Sequence, residues 1–200
     1  MLVTDDAVLA GRDAVALVQA AERGGVTSVQ LRLKRVTPRE LAELARTLVG
    51  ALGVPLLVND RPDVALAAGA AGVHLGPDDL PVSLARRVVP PGFILGASAG
   101  SPAEAAAAAD ADYWGVGPWR ATGTKADAGE ALGVEGFRRI VGLGGGRPCI
   151  AIGGVRPSDV PAVLGAGGAG VAVVSGILGD ADVEAAARRY AGAMVSPGTK

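Results

Sequence analysis

Leu56-Leu-Val-Asn-Asp-Arg61 is followed, 19 residues after Asp60, by Asp79 in His74-Leu-Gly-Pro-Asp-Asp79. The first apolar run stops abruptly at Asn59 and Asp60. An alanine-rich stretch over 62–71 comes next, and then a second apolar run, Gly72-Val-His-Leu75, ends in a loop with Asp78 and Asp79. These patterns spell strand, helix, strand, with acidic residues just past the carboxyl end of each strand. In parallel α/β proteins, metals and phosphates are bound at that edge. Two carboxylates converging there suit a hard cation such as Mg2+, with substrate phosphate completing its coordination. The same acids also suit helix N-caps, where an aspartate accepts backbone N–H groups. Both readings stand at this point.

Outward from this unit the chain alternates regularly. Short apolar runs fall at 2–4, 28–31, 56–58, 72–75, 93–97, 113–116, 149–152 and 170–174, with helix-like segments near 13–23, 38–52, 62–69, 81–88, 102–110, 134–143, 157–165 and 180–194. Pro38, Pro102 and Pro157 sit in first turns, where a missing N–H costs nothing. Gly24 and Gly69 mark helix ends. Strands this short and apolar belong to a parallel sheet buried on both faces. Eight strand–helix units predict an α/β fold closed as a single compact (β/α)8 TIM barrel, near the short end for that architecture. One domain over 1–195 is expected, with 196–200 as a disordered tail. Ala68-Gly-Ala-Ala-Gly-Val-His74 resembles Ala166-Gly-Gly-Ala-Gly-Val-Ala172, with a looser copy at Ala109-Asp-Ala-Asp-Tyr-Trp114. Each reads as the same tight turn from helix into strand.

Composition narrows the function classes. Lys plus Arg number 19 and Asp plus Glu 20, so no global basic field attracts nucleic acid. No apolar run reaches the roughly 18 residues of a membrane span. The start, Leu2-Val-Thr4, carries no signal-peptide pattern. The single cysteine, Cys149, lies in Cys149-Ile-Ala-Ile152 and reads as a small core residue rather than a nucleophile. A cytoplasmic protein acting on small molecules is expected, without nucleic-acid or membrane partners; a homodimer is left open.

Candidate site residues gather at strand ends. In Gln30-Leu-Arg-Leu-Lys34 a period of two puts Gln30, Arg32 and Lys34 toward the barrel interior and mouth, and the leucines toward the helices. Two cations at a strand end cost desolvation unless an anion meets them. The plain alternative pairs Arg32 with a barrel acid and leaves Lys34 exposed. The long loop Gly117-Pro-Trp-Arg-Ala-Thr-Gly-Thr-Lys-Ala-Asp127 offers Thr122, Thr124 and Lys125 on a glycine-flexed backbone. That set suits phosphate and a lid, although a solvated lysine loop has the same composition. Ile152-Gly153-Gly154 and Val173-Val-Ser175-Gly176 end strands 7 and 8, where such barrels bind phosphate through backbone N–H groups.

Taken in order, Gln30-Leu-Arg-Leu-Lys34, Asn59-Asp-Arg61, Val73-His-Leu-Gly76 with Asp79, Gly96-Ala-Ser98, Gly115-Val-Gly-Pro118, Thr122-Gly-Thr-Lys125, Ala151-Ile-Gly-Gly154 and Val173-Val-Ser175 closely resemble the thiamine phosphate synthase family over essentially the whole chain. The resemblance implies a Mg2+-dependent transferase that joins a pyrimidine methyl diphosphate to a thiazole ethyl phosphate, giving thiamine phosphate and diphosphate. It implies Asp60 and Asp79 as Mg2+ ligands. It places Gln30, Arg32, Lys34, Asn59, Ser98 and Lys125 around the pyrimidine diphosphate. Thr122, Thr124, Gly154, Val174 and Ser175 fall around the thiazole phosphate, with Gly123 between the two threonines. Arg32, Lys34, Ser98 and Lys125 become the catalytic groups. Three departures stand out: Leu33 where the family has glutamate, Gly123 where it has proline, and Ala99-Gly100 where it has a polar pair.

The mechanism implied by the resemblance breaks the C–O bond to diphosphate first. A pyrimidine methyl cation forms, and the thiazole nitrogen attacks it. No general base is required, which suits a chain with one histidine; His74 reads as a structural group at the mouth. Two other readings compete. A thiazole tautomerase of the same superfamily relies on a histidine shortly after the strand-5 serine, and Ala99-Gly100-Ser101 offers none. A non-catalytic phosphate-binding barrel would keep Gly154 and Ser175 without needing Asp60, Asp79 and Lys125 together.

Overall fold

The computed structural model describes residues 1–121 and 130–195. Eight parallel strands pair in sequence order: β1 Leu2–Val3, β2 Val29–Leu31, β3 Leu56–Asn59, β4 Gly72–Leu75, β5 Ile94–Ser98, β6 Tyr113–Val116, β7 Cys149–Ile152 and β8 Gly170–Ala172. The Val3 amide donates to Val173 O at 2.9 Å, and the Val173 amide donates to Met1 O at 3.1 Å. These bonds join the last strand to the first, so the sheet closes as the expected α/β barrel. Between strands lie α1 Asp6–Leu9, α2 Ala14–Arg23, α3 Pro38–Ala51, α4 Pro62–Ala68, α5 Val82–Ala85, α6 Pro102–Ala107, α7 Gly133–Leu143, α8 Val160–Gly165, α9 Ser175–Leu178 and α10 Val183–Met194. No helix among the described residues is long and apolar enough to cross a membrane.

Local sequence explains where most elements begin and end. Thr37 and Glu40 form a reciprocal capping box ahead of α3, with Pro38 in its first turn. Gly69 ends α4 in the left-handed conformation, φ 72°. Gly24 follows α2 for a different reason than the sequence indicates. Its φ is −77°, but a Cβ there would lie 2.5 Å from the Ala187 Cβ of α10. Close packing of the first and last long helices requires it.

Other boundaries differ from expectation. The helix expected over 81–88 shrinks to α5, because Pro90 and Pro91 follow closely and oppose helical backbone before them. Arg86 bridges the gap instead, donating to Phe93 O and Asp110 O, each at 3.1 Å. The segment at 157–165 opens with a 3-10 turn, Pro157–Asp159, before α8. The four-residue α1 and α9 are too short to show a hydrophobic period.

Strand register divides the core into two layers. The pairs Gln30–Leu57, Asn59–His74, His74–Gly96 and Gly96–Tyr113 turn these residues into the barrel. Leu31, Val58, Val73, Leu95, Trp114 and Cys149 alternate with them and pack against the helices, all buried. Trp114 donates Nε1–H to Ala108 O at 2.9 Å, and Arg147 lies 4.7 Å over its ring. Inside the barrel, the rings of Tyr113 and His74 meet with centroids 5.6 Å apart. Their space comes from glycines on β5 and β6: a Cβ on Gly96 would overlap the Tyr113 ring, and one on Gly115 would sit 3.1 Å from His74 Cε1.

Two glycine substitutions therefore have opposite expected signs. Gly96→Ala forces Tyr113 to shift within a filled interior and lowers stability by about 1–3 kcal/mol. Gly192→Ala, in α10 with open space at its Cβ, raises stability by about 0.5–1 kcal/mol through helix propensity. Urea denaturation at constant m-value measures both. A Gly96→Ala protein as stable as wild type would refute the packing account.

Candidate active site

The carboxyl ends of the strands carry the polar residues, and Asp60 shows how tightly their geometry is set. Its φ is +64°, the one positive value outside glycine among the described residues. The Arg61 amide donates to Asn59 O at 2.8 Å across it, making a γ-turn, and the Asp60 amide donates to His74 O at 2.8 Å. Such backbone is strained and persists only where its surroundings over-determine it. Here β4 supplies the restraint. Asp79 is fixed in its own loop, accepting the Gly76 amide at 2.7 Å. The two carboxyl groups face one another across the strand ends, each within the other's electrostatic reach.

Neither acid caps a helix. The residues preceding α4 and α5 are Arg61 and Pro81, and neither helix has a side-chain cap. The N-cap reading of this pair is therefore set aside. Partial burial pushes the Asp60 carboxyl up to about 6, with Asp79 adding to the rise and Lys34 and Arg32 pulling against it. Lys34 Nζ lies 3.8 Å from Asp60 Oδ2 and is itself 55% exposed. Two like charges held together beside a cation form the donor set of a hard divalent metal. Mg2+ takes one or two carboxylates and fills its remaining positions with water and phosphate oxygens, so Asp60 and Asp79 fit that ion.

The β2 end is arranged differently from the simple alternation expected over 30–34. The strand stops at Leu31, and Thr4 substitutes for backbone just beyond it: the Arg32 amide donates to Thr4 Oγ1 at 2.8 Å, and Thr4 Oγ1 donates to Arg32 O at 3.1 Å. The alternation nonetheless persists in side-chain placement. Gln30 is buried inside, and Leu33 packs on the helix-side core. The Arg32 guanidinium pairs with Asp5 at 2.8 Å, with both partners mostly buried. Asp6 accepts the Lys34 and Arg35 amides at 2.8 and 3.1 Å. Burial raises the Asp6 carboxyl, but these backbone donors outweigh it and leave the group below its ordinary value. Asp5 and Asp6 escaped the sequence reading. Thr4-Asp5-Asp6 follows β1 just as Asn59-Asp60 follows β3, and that signal was available.

Asn59 and Ser98 are half-buried at the ends of β3 and β5. Ser98 Oγ is 3.3 Å from His74 Nε2, and Tyr113 Oη is 2.9 Å from His74 Nδ1. Across the mouth, Gly153 and Gly154 both have positive φ, +91° and +69°. The chain leaving β6 lies against them: the Trp119 amide donates to Ile152 O at 2.8 Å and the Arg120 amide to Gly153 O at 2.9 Å. Arg120 is tied to buried Asp159, Nε to Oδ2 at 3.2 Å, and Asp159 also accepts the Arg156 amide at 2.8 Å. Sequence reasoning missed this clamp. Val174 precedes α9, and Ser175 opens it, so the first N–H groups of that turn lack helical partners. Thr122, Gly123, Thr124 and Lys125 lie outside the described residues.

The structure therefore brings together Asp60, Asp79, Lys34 and Arg32 on one side of the mouth. Gly154, Val174 and Ser175 end the two neighbouring strands β7 and β8. Cys149 faces the helices, and burial pushes its thiol up, away from nucleophilic use. A cavity of about 420 Å³ opens at the opposite end, among strand starts such as Ser28, Pro55, Ile94 and Gly170, and its lining is mainly apolar. The convergent charged groups mark the carboxyl-end mouth instead.

Known proteins resemble the chain in sequence and fold. The family profile described as thiamine monophosphate synthase matches residues 1–177. The thiamine-phosphate synthase of Methanoculleus marisnigri is 47% identical over 195 residues, covering 94% of this chain and 90% of that protein. The thiamine-phosphate synthase of Azorhizobium caulinodans is 48% identical over 195 residues, with the same coverage. The solved thiamine phosphate pyrophosphorylase from Pyrococcus furiosus superposes with a TM-score of 0.84 at 36% identity, covering 96% of this chain and 94% of that one. On sequence, fold and extent together, the chain belongs to the thiamine monophosphate synthase family.

Proposed function

We propose that the protein is a thiamine phosphate synthase that joins 4-amino-2-methyl-5-(diphosphooxymethyl)pyrimidine to 4-methyl-5-(2-phosphoethyl)thiazole, releasing diphosphate. The observation that carries this reading is the Asp60–Asp79 pair beside Lys34 and Arg32, in a member of this family. Asp60 and Asp79 would hold Mg2+, which would supply positive charge to the leaving diphosphate. Arg32 and Lys34 meet the same diphosphate. Asp5 keeps the guanidinium from swinging into solvent, so its charge is already in place.

The chemistry demands charge stabilisation rather than proton removal. As the C–O bond breaks, negative charge grows on the leaving diphosphate, where Arg32, Lys34 and Lys125 stabilise it. The pyrimidine methyl cation left behind is stabilised by its ring amino group, and the thiazole nitrogen attacks it. Gln30, Asn59 and Ser98 hold the pyrimidine diphosphate. The left-handed backbone at Gly153 and Gly154 and the opening turn at Ser175 receive the thiazole phosphate on N–H groups, together with Thr122, Thr124 and Val174.

The direct test is formation of thiamine phosphate and diphosphate from the two substrates. Turnover is expected with Mg2+ and not in EDTA. Asp60→Asn and Asp79→Asn should each lower kcat/KM by at least about 100-fold, without lowering Tm, since each removes one of two like charges. Full turnover in EDTA, or near-normal activity in both variants, removes the metal role. A failure to make thiamine phosphate under every metal condition removes the synthase reading itself.

The two phosphate sites separate in a second variant. Gly154→Val introduces a side chain at φ +69°, 3.0 Å from the Arg120 Cβ. KM for the thiazole phosphate should rise at least about tenfold, while affinity for the pyrimidine diphosphate stays within about twofold. Equal weakening of both, in a variant with wild-type Tm, would show that β7 and β8 do not hold the thiazole phosphate.

A further inference from the structure

Four polar side chains form one line through the barrel interior. Gln30, His74 and Tyr113 are 4%, 8% and 9% exposed, while Ser98 stands half-buried at the mouth. His74 lies between Tyr113 and Ser98, with one ring nitrogen at 2.9 Å from the phenol and the other at 3.3 Å from the serine hydroxyl. The Gln30 side chain bonds the same phenol oxygen. Among the described residues, no buried side-chain nitrogen or oxygen lacks a hydrogen-bond partner.

Hydrogen counting gives this line two possible directions. The phenol has one hydrogen, and a neutral imidazole has one donor nitrogen and one acceptor. In one direction, Tyr113 donates to His74 Nδ1, the ring hydrogen sits on Nε2 and points at Ser98 Oγ, and the serine hydrogen is turned into the mouth. In the other, Tyr113 donates to Gln30, His74 Nδ1–H donates to Tyr113, and Ser98 gives its hydrogen to Nε2. Ser98 then offers the mouth only lone pairs.

The charge at the mouth selects the first direction. In that direction the Gln30 amide N–H donates to the phenol oxygen, and the phenol hydrogen goes to His74 Nδ1. Burial holds the phenol well above its ordinary range, so Tyr113 keeps the hydrogen it donates. The same mouth carries Arg32 and Lys34 beyond β2, which favour an anion there. Serine lone pairs aimed at that anion would repel it, whereas an O–H would bind it.

We infer that Tyr113 is a positioning residue: by accepting from Gln30 and donating to His74 Nδ1, it fixes the Nε2–H tautomer and aims the Ser98 hydroxyl hydrogen outward, as a ready donor to an anionic substrate oxygen. The identity of that substrate as the pyrimidine diphosphate rests on the proposed function; the direction of the line does not. The same line accounts for the small residues around it. Gly96 leaves room for the phenol, and Gly115 for the imidazole edge.

The sequence contains one histidine, so 15N-histidine labelling reports His74 alone. In ligand-free wild-type protein at neutral pH, the ring nitrogens should show the Nε2–H tautomer. Tyr113→Phe keeps the ring and removes the O–H; it should shift His74 toward the other tautomer and lower Tm by a few degrees, since buried Gln30 and His74 lose a partner. In the synthase assay, Tyr113→Phe should lower kcat/KM about 5- to 20-fold with Ser98 present, and less than about twofold when Ser98 is already alanine. An Nδ1–H tautomer or an imidazolium in wild type would overturn the inference, as would equal losses in both backgrounds. The tautomer is read without substrate. A wild-type protein inactive on the pyrimidine diphosphate would therefore sink the proposed function and leave the tautomer result to decide this inference.

Discussion

Two carboxylates held side by side at the barrel mouth are the constraint around which the surrounding residues are arranged. Asp60 and Asp79 repel one another when both are ionised, and partial burial makes that repulsion harder to screen. A chain with no use for the pair gains nothing from a strained γ-turn at Asp60, pinned by β4. The nearby cations make sense in the same terms. Lys34 lies within reach of Asp60, and Arg32 is tethered by Asp5 rather than by the pair itself. The mouth is thus poised between excess negative charge at the two acids and positive charge beside them. A divalent cation with a diphosphate satisfies both sides at once.

The barrel interior beneath this mouth is built to hold direction, not merely to fill space. Its widest side chains, Tyr113 and His74, lie on alternate strands, and glycines on β5 and β6 give them room. Polar groups buried at this depth are costly unless every hydrogen is placed. The line from Gln30 to Ser98 meets that requirement and carries an orientation to the mouth. On the far side, the buried Asp159 holds Arg120, and Arg120 lies along the left-handed backbone at Gly153 and Gly154. Rigid elements below and beside the mouth thus set its geometry.

Much of this was legible in the residues. Eight short apolar runs separated by helical segments led to the closed barrel, because strands buried on both faces mean a parallel sheet and eight strand–helix units close it. The acids after β3 and β4 were visible because each interrupts an apolar run. What escaped notice depended on contacts between distant segments. Asp5 and Asp6 matter only because β1 lies beside β2, and Asp159 only because the chain leaving β6 lies against β7. Tyr113 read as another apolar strand residue until register placed it opposite Gly96 and near His74. The α5 helix gives way to turns ahead of Pro90 and Pro91, which cannot donate the next helical bonds. Gly24 had the right position for a helix cap, yet close contact between α2 and α10 explains it better.

On the proposed reading, Asp60 and Asp79 form one site with the cations beside them, completed only by a metal and a diphosphate together. Calorimetric titration of the wild-type protein with Mg2+, with inorganic diphosphate, and with each in the presence of the other measures this directly. Strong coupling is expected, each ligand tightening the other by more than about tenfold, with the same factor in both orders as linkage requires. Diphosphate binding that is equally tight in EDTA, or Mg2+ binding indifferent to diphosphate, would contradict it.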